Sequence, residues 1–526
     1  MSLPDPFRHG VASGDPTPHQ VVLWTRVTPT EAAQPGSGAG PQVRVRWQVA
    51  RDARFTRVVS SGSQTTGPAR DHTVKVDAGG LSPATTYFYR FSYDGVHSPV
   101  GRTRTAPAHD ADNARLRFGV ASCANWQAGW FSAYRHLADR DDLEFVLHLG
   151  DYVYEYGPGE YGMGIGNVDV RRHDPPHEMV TLADYRRRHA QYKTDPDLRR
   201  LHARHPFVLT WDDHERMDNS WRAGGVNHDA SEGSFAARSA AAYKAYDEWM
   251  PVRLSGTSAL GDGTRIHRRL TFGRLAQLSL LDLRTYRDEQ VALPVDSPTL
   301  DDPGRTITGD AQMSWLKRTL DDQHCLWRLV GNPVMIAPVR APSLYSGLLD
   351  KVNQATNGTV PLPTDGPPYN TDQWDGYTAD RKELYQHLRD QGVNNAVFLT
   401  GDIHSSWACD LPVDAAAYRL TGGSVGTEFV CTSVTSNNLK DITGTPPRTS
   451  SLAVEAAVTT ANPHVKFLNF DDHGYAVVDI TRRRLQVDYF KISARDDRKA
   501  TSTRMASWAT TVNSNKVHAV STGVQG

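Results

Sequence analysis

Four apolar runs in this chain each stop at a residue able to bind a metal ion. Residues 115–122 (RLRFGVAS) lead into Cys123, and 145–149 (FVLHL) lead into Gly150-Asp151, with Tyr154 three positions on. Residues 206–211 (PFVLTW) lead into Asp212-Asp213-His214-Glu215, and 396–400 (AVFLT) lead into Gly401-Asp402-Ile403-His404. Buried parallel strands read as continuous apolar runs, and open α/β sheets build their sites at the carboxyl ends of such strands. Four ends far apart in the chain can therefore meet in one place. A lone Asp after a strand is usually a helix cap or turn residue, but four such ends are hard to explain as packing.

The residue types narrow the chemistry. In an extended chain, positions i and i+2 face one side, so Asp402 and His404 can reach the same site. Four polar groups in a row at 212–215, beside a buried run, require an ion or strong pairing. Carboxylates with a phenolate suit a hard trivalent ion, whereas carboxylate and carbonyl oxygens suit calcium, magnesium or manganese. Asp151 carries charge for two ions, and two metals about 3.5–4 Å apart can clamp the attacking and leaving oxygens of an in-line displacement. His214, next to a ligand, is placed to protonate the leaving oxygen.

At 526 residues the chain is too long for one ordinary core. Residues 1–107 form an expected N-terminal β-sandwich, with period-two strands at 21–27, 43–50, 72–78 and 86–93. LSPATTYFYR followed by HSPVGRTRTAP resembles the end of a fibronectin type III sandwich, with Trp24, Trp47 and Tyr87 expected in its core. A linker at 106–113 precedes an α/β region over 114–503. The last segment, 504–526, lacks a strong period and is expected as a tail able to cap the site, with Lys516 near its entry. Helices are expected at 234–250 and 309–323, and the basic run 184–193 as a solvated helix face.

Lys and Arg number 58 against 59 Asp and Glu, for a net charge of −1, so the basic excess of a nucleic-acid binder is absent. No apolar run approaches the length of a membrane span. Four widely spaced cysteines argue against a disulfide framework or a structural zinc site, and leave a single pair open. The opening MSLPDPF lacks a basic and an apolar export region, which fits either a cytosolic chain or a processed one. Two glycine motifs are set aside. Around Ser424 a G-x-S-x-G precedes an expected strand rather than the helix of a nucleophile elbow. Gly162–Gly166 has neither the leading strand nor the spacing of a dinucleotide site, and is expected as a loop near the site mouth.

The ordered set FRHGVASGDPTPHQVVLWTRVTP, ASCANW, LGDYVYEYG, TWDDHE, LDLRTYRD, GDAQMSWL, GNPVM, WDGY and LTGDIHSSW resembles the PhoD family of alkaline phosphatases and phosphodiesterases. That family lies within the calcineurin-like metallophosphatases, and the resemblance covers almost the whole chain. It implies a metallophosphatase-type four-layer α/β/β/α sandwich core preceded by a fibronectin type III-like β-sandwich. It also implies a ferric ion held by Cys123, Asp151, Tyr154 and His404, and one or two calcium ions held by Asp151, Asp213 and Asp402. Cys123 stands where most relatives place aspartate, Asp213 where they place asparagine, and Asp402 where they place histidine. The last two exchanges favour oxygen-loving calcium at the second position.

The implied activity is metal-dependent phosphate-ester hydrolysis by an activated water, with His214 as proton donor and no covalent phospho-enzyme. Asn219 and Asn332 are either further oxygen ligands or phosphate contacts, or plain loop residues. Arg284 and Arg287 are either bidentate phosphate contacts or structural ion pairs. The resemblance further implies a secreted or wall-associated monomer whose partner is its phosphate-ester substrate. Alternatives within the family are phosphodiesterases acting on phospholipids, teichoic-acid-like polymers or nucleotide diesters. A more distant one is a binding protein on a catalytically inactive metal fold.

Overall fold

The computed structural model describes residues 5–161, 169–254, 265–292, 297–340 and 368–524; Gly162–Gly166 lies outside them. Two sheets stack face to face. The ten-stranded sheet carries, in its middle, the parallel strands Arg115–Ala121, Phe145–His148 and Phe207–Leu209. The seven-stranded sheet centres on Ala276–Leu280, Trp327–Asn332, Ala396–Thr400 and Thr427–Val430, also parallel. Between the sheets Phe118, Val120, Phe145 and Leu147 meet Leu278, Leu280, Leu329 and Leu399. On the outer faces Val146 and Leu209 pack on Tyr185, Leu198 and Tyr246, while Val330 and Phe398 pack on Leu316, Leu388 and Val458. This is the expected four-layer α/β/β/α arrangement. Both faces of each central strand are covered, which is why their sequences read as unbroken apolar runs.

The helices start where their sequences supply caps. Thr181 and Asp184 form a capping box for Leu182–Tyr192, Asp195 caps Pro196–Arg204 with proline in its first turn, and Ser234 caps Phe235–Trp249. The basic run does not form a solvated face. Arg186 and Arg188 are buried: Arg186 grips Glu248 through two bonds of 2.7 Å, and Arg188 donates to the carbonyls of Tyr154, Tyr156 and Pro175. Of the three arginines only Arg187 reaches solvent, so the stems and forks of Arg186 and Arg188 serve packing and carbonyl satisfaction.

The N-terminal sandwich shares its inner sheet with the α/β region. Val11–Gly14 pairs in parallel with Phe207–Leu209, and Val21–Arg26 and Thr73–Ala78 continue the ten-stranded sheet to its edge. The opposing five-stranded sheet is built on Val43–Ala50, Val58–Thr66 and Thr86–Tyr93. Val21, Leu23, Val45, Tyr87 and Phe91 fill the space between, with Trp47 packed against them. Trp24 departs from expectation. It faces the helices, its ring tilted against Trp249 at a centroid distance of 5.7 Å beside Ala190, and donates to the Glu248 carbonyl at 2.8 Å. Alternation along 21–26 separates two faces, and here a helical layer covers the second one.

The end of the chain also differs from the expected tail. Ser502–Thr511 and Val517–Ala519 are the two outermost strands at the other edge of the ten-stranded sheet, and Lys516 sits in the connection between them. Among the described residues no helix is long and apolar enough to cross a membrane.

Candidate active site

The parallel register aligns the strand ends. His148 lies opposite both Ala121 and Leu209, so Cys123, Asp151 and Asp213 leave the ten-stranded sheet side by side. Asp402 and His404 arrive from the facing sheet after Ala396–Thr400. Close approach explains the glycines before the two aspartates. A Cβ on Gly150, whose φ is +106°, would stand 2.5 Å from the Asp212 Cβ, and one on Gly401 would stand 2.9 Å from the Ser122 Cβ. Cys123, Asp151, Asn219, Asp402 and His404 all adopt left-handed backbone, with φ between +47° and +65°. Non-glycine residues seldom sit there, and their clustering at one place marks a geometry imposed by the site.

The 401–405 segment is a turn rather than an extended stretch, so the i and i+2 argument does not describe it. Asp402 and His404 instead serve two adjoining groups of ligand atoms. One group holds Cys123, Asp151 and His404, another holds Asp151, Asp212, Asp213 and Asp402, and a third joins Asp151, Asp213 and His214; each group's atoms lie within 4.8 Å of one another. Tyr154 joins the first, its hydroxyl 3.1 Å from Asp151 Oδ2 and 3.4 Å from His404 Nε2. His404 Nδ1 is 2.8 Å from the Asn437 carbonyl, which turns Nε2 toward Tyr154 and the rest of this group. Burial pushes the His404 ring down to about 4, keeping it neutral as metal ligation requires.

These residues fit metal binding. Asp151 Oδ1 and Asp213 Oδ1 are buried without a hydrogen-bond partner, and buried carboxylate oxygens are rarely left so. Burial first, and then neighbouring acids against the pull of His214, raise the Asp151 carboxyl well above its usual range. A cation would reverse that balance.

The four residues 212–215 divide the work. Asp213 points into the cluster and accepts from the Asn219 N–H at 2.7 Å. Asp212 takes two bonds from Arg284, at 2.5 and 3.1 Å. His214 Nδ1 lies 2.8 Å from Glu155 Oε2, and its Nε2 is 3.9 Å from Asp213. Burial opposes the charge on His214, but Asp213, Glu155 and Asp151 outweigh it and hold the imidazolium well above its usual range. Glu215 accepts from the N–H groups of Asp151, Tyr152 and Asp212 at 3.0, 2.6 and 2.9 Å, tying two strand ends together. Glu215→Ala would leave three buried donors without that acceptor, at about 1 kcal/mol or more each. The expected outcome is a loss of about 3 kcal/mol in stability, read in denaturant unfolding, together with reduced metal retention.

Several candidates have structural partners instead. Arg284 is 1% exposed, bonded to Asp212 and Asp372 and 3.5 Å from Asp213 and Asp402. It is a counter-ion to the acidic cluster, not a fork open to phosphate. Arg287 latches the Asn219 and Ser220 carbonyls to Asp372. Asn332 donates to the Val334 carbonyl and Thr400 and accepts from Trp374, which makes it a strand latch. Asn219 is half-buried beside Asp213 and Asp372. Ser424 bonds the Leu411 N–H and the Gly426 carbonyl as a loop staple, and all four cysteines are free thiols. Sequence reasoning missed Glu155, Ser436, Asn437 and Arg188. Of these Glu155 alone carried a signal, lying inside the LGDYVYEYG stretch as a carboxylate without an assignment.

The "PhoD-like phosphatase" family model matches residues 118–489, and the "PhoD-like phosphatase, N-terminal domain" model matches residues 2–107. The chain is 38% identical to "Alkaline phosphatase D" of Bacillus subtilis (strain 168) over 491 residues, which is 92% of this chain and 77% of that protein. It also matches a solved structure titled "Structure of PhoD", with a TM-score of 0.86 and 35% identity, over 100% of this chain and 94% of the other.

Proposed function

The chain belongs to the PhoD-like phosphatase family, and from that premise we propose how its residues carry out phosphate-ester hydrolysis. In this reading Cys123, Asp151, Tyr154 and His404 hold a ferric ion, while Asp151, Asp213 and Asp402 hold one or two calcium ions. The observation that carries it is the place of Asp151 in all three donor groups, with a buried oxygen left unpaired. A thiol, a phenol, an imidazole and a carboxylate in one group, against carboxylates alone in the other, supports two ions of different chemistry. When bound, the ions supply Lewis acidity toward the phosphoryl oxygens and acidify a water.

The chain's own residues do the rest. His214 holds the proton for the leaving oxygen, and Glu155 fixes its ring by accepting at Nδ1. Arg284 and Arg287 balance the charge of Asp212 and Asp372 beside the donor groups. Asn219 remains the substrate contact in this reading. The rings of Tyr154, Tyr156 and Tyr161 surround His214 at centroid distances of 4.2, 5.6 and 6.0 Å, so the leaving group meets an aromatic wall. Secretion, wall association and a monomeric state rest on family membership.

The test combines elemental analysis of the purified protein with a panel of phosphate mono- and diesters. Iron and calcium should both be present in a violet protein, turnover should vanish after chelation, and it should return when both ions are restored. A colourless, metal-free and fully active preparation would sink the reading. The panel separates a monoesterase from the phosphodiesterase alternatives, and turnover of any ester excludes the non-catalytic one.

A further inference from the structure

The loop after Thr427–Val430 touches most of the proposed ferric site. Thr435 N–H and Ser436 N–H donate to the Cys123 carbonyl at 3.3 and 3.2 Å. The Ser436 hydroxyl lies 2.6 Å from the Tyr154 oxygen and 2.9 Å from the Cys123 carbonyl, its single proton favouring the shorter contact, and the Asn437 carbonyl faces His404 Nδ1. Three of the four ligands assigned above are thus held by three consecutive residues, none of which would itself bind metal.

The same loop is clamped from behind. Arg495 Nη1 donates to the Thr435 carbonyl and to Asn437 Oδ1, both at 2.7 Å, and lies 3.2 Å from Asp441. His473 stands between Ser433 Oγ, 2.9 Å from Nδ1, and Asp441 Oδ2, 2.8 Å from Nε2. Such a serine–histidine–aspartate chain serves as a nucleophile only where substrate reaches the hydroxyl. Ser433 is fully buried and also bonded to the Ser436 carbonyl at 2.7 Å, so the chain stiffens the loop.

We infer that Ser436 is a positioning residue whose hydroxyl bond to the Tyr154 oxygen sets both the placement and the electron donation of that ligand. The inference rests on the ferric reading above. Tyr154 directs its own proton to Asp151 Oδ2 and accepts from Ser436, and loss of the proton to a metal leaves the Ser436 bond in place. A donor on a phenolate oxygen stabilises its lone pairs and weakens donation to the ion. It therefore raises the energy of the phenolate-to-iron transition that colours the protein. Bonds of this kind, one step out from a metal, typically govern affinity by about 10–100-fold.

The experiment uses the full-length iron-loaded protein and its Ser436→Ala, Ser436→Thr and Ser436→Cys variants. Ser436→Ala should move the visible absorption band to longer wavelength, because donation strengthens, and should lower iron affinity, in competition with a chelator, by about 10-fold, because Tyr154 is no longer held in place. Ser436→Thr, which keeps the hydroxyl, should restore both. Ser436→Cys, close in size but a weak donor, should shift the band part of the way, and it decides the matter if the alanine variant does not fold. A full complement of iron with the wild-type band and affinity in Ser436→Ala, or in Ser436→Cys, would overturn the inference while leaving the ferric reading intact. A wild-type protein that binds iron without colour would overturn the tyrosinate reading, and this inference with it.

Discussion

Replacing Asp151 with asparagine is expected to abolish turnover and to empty the metal site, in a protein that still folds. The side chain belongs to every candidate donor group of the cluster, so an amide removes charge from both proposed ion positions at once. Loss of a single electrostatic group focused on a reacting centre typically lowers kcat by about 10²–10³. A group shared by two ions should exceed that range. The substitution is also a clean one. Asp151 has φ +55°, a conformation that asparagine adopts more readily than most residues, and its N–H is held by Glu215 whatever the side chain. Removing one of several crowded buried carboxylates also relieves repulsion. The metal-free variant should therefore unfold at the same denaturant concentration as the metal-free wild type, or higher. Wild-type iron and calcium content with wild-type kcat/KM would show that Asp151 does not bridge the ions.

The candidate ligand residues stood out because each follows a strand whose burial on both faces writes an apolar run into the chain. Cys123, Asp151, Asp213, Asp402 and His404 all sit within four residues of such a run. How Asp402 and His404 converge was not legible, since their left-handed backbone is imposed by neighbours rather than by local preference. The supporting residues were hidden for a different reason. Asn437 acts on His404 through its carbonyl, and any amino acid at that position would supply one. Arg188 acts on the Tyr154 carbonyl, a partner that no side-chain pattern reveals. Trp24 shows the same limit at the scale of layers. Period two separates the faces of a strand, but what covers each face is decided by the long-range pairing of Val11–Gly14 with Phe207–Leu209.

His214→Asn is expected to separate proton donation from metal chemistry. Asparagine offers an N–H to Glu155, a buried carboxylate that also accepts from the Asp218 N–H and from Asn227, so the substitution avoids leaving that charge short of a donor. Iron and calcium content should stay at wild-type levels, because the ligand groups assigned to the ions do not include His214. Turnover should then depend on the leaving group. Positioned proton transfer contributes about 10²–10⁴-fold, and alkyl phosphates, whose leaving oxygen is strongly basic, should lose activity on that scale. Aryl phosphates with acidic leaving groups need little protonation and should lose far less. A plot of log kcat against leaving-group pKa should therefore steepen in the variant. Parallel lines for the two proteins, with an equal loss on every ester, would assign His214 to binding or to the shape of the site, because only a proton donor senses the basicity of the oxygen it protonates.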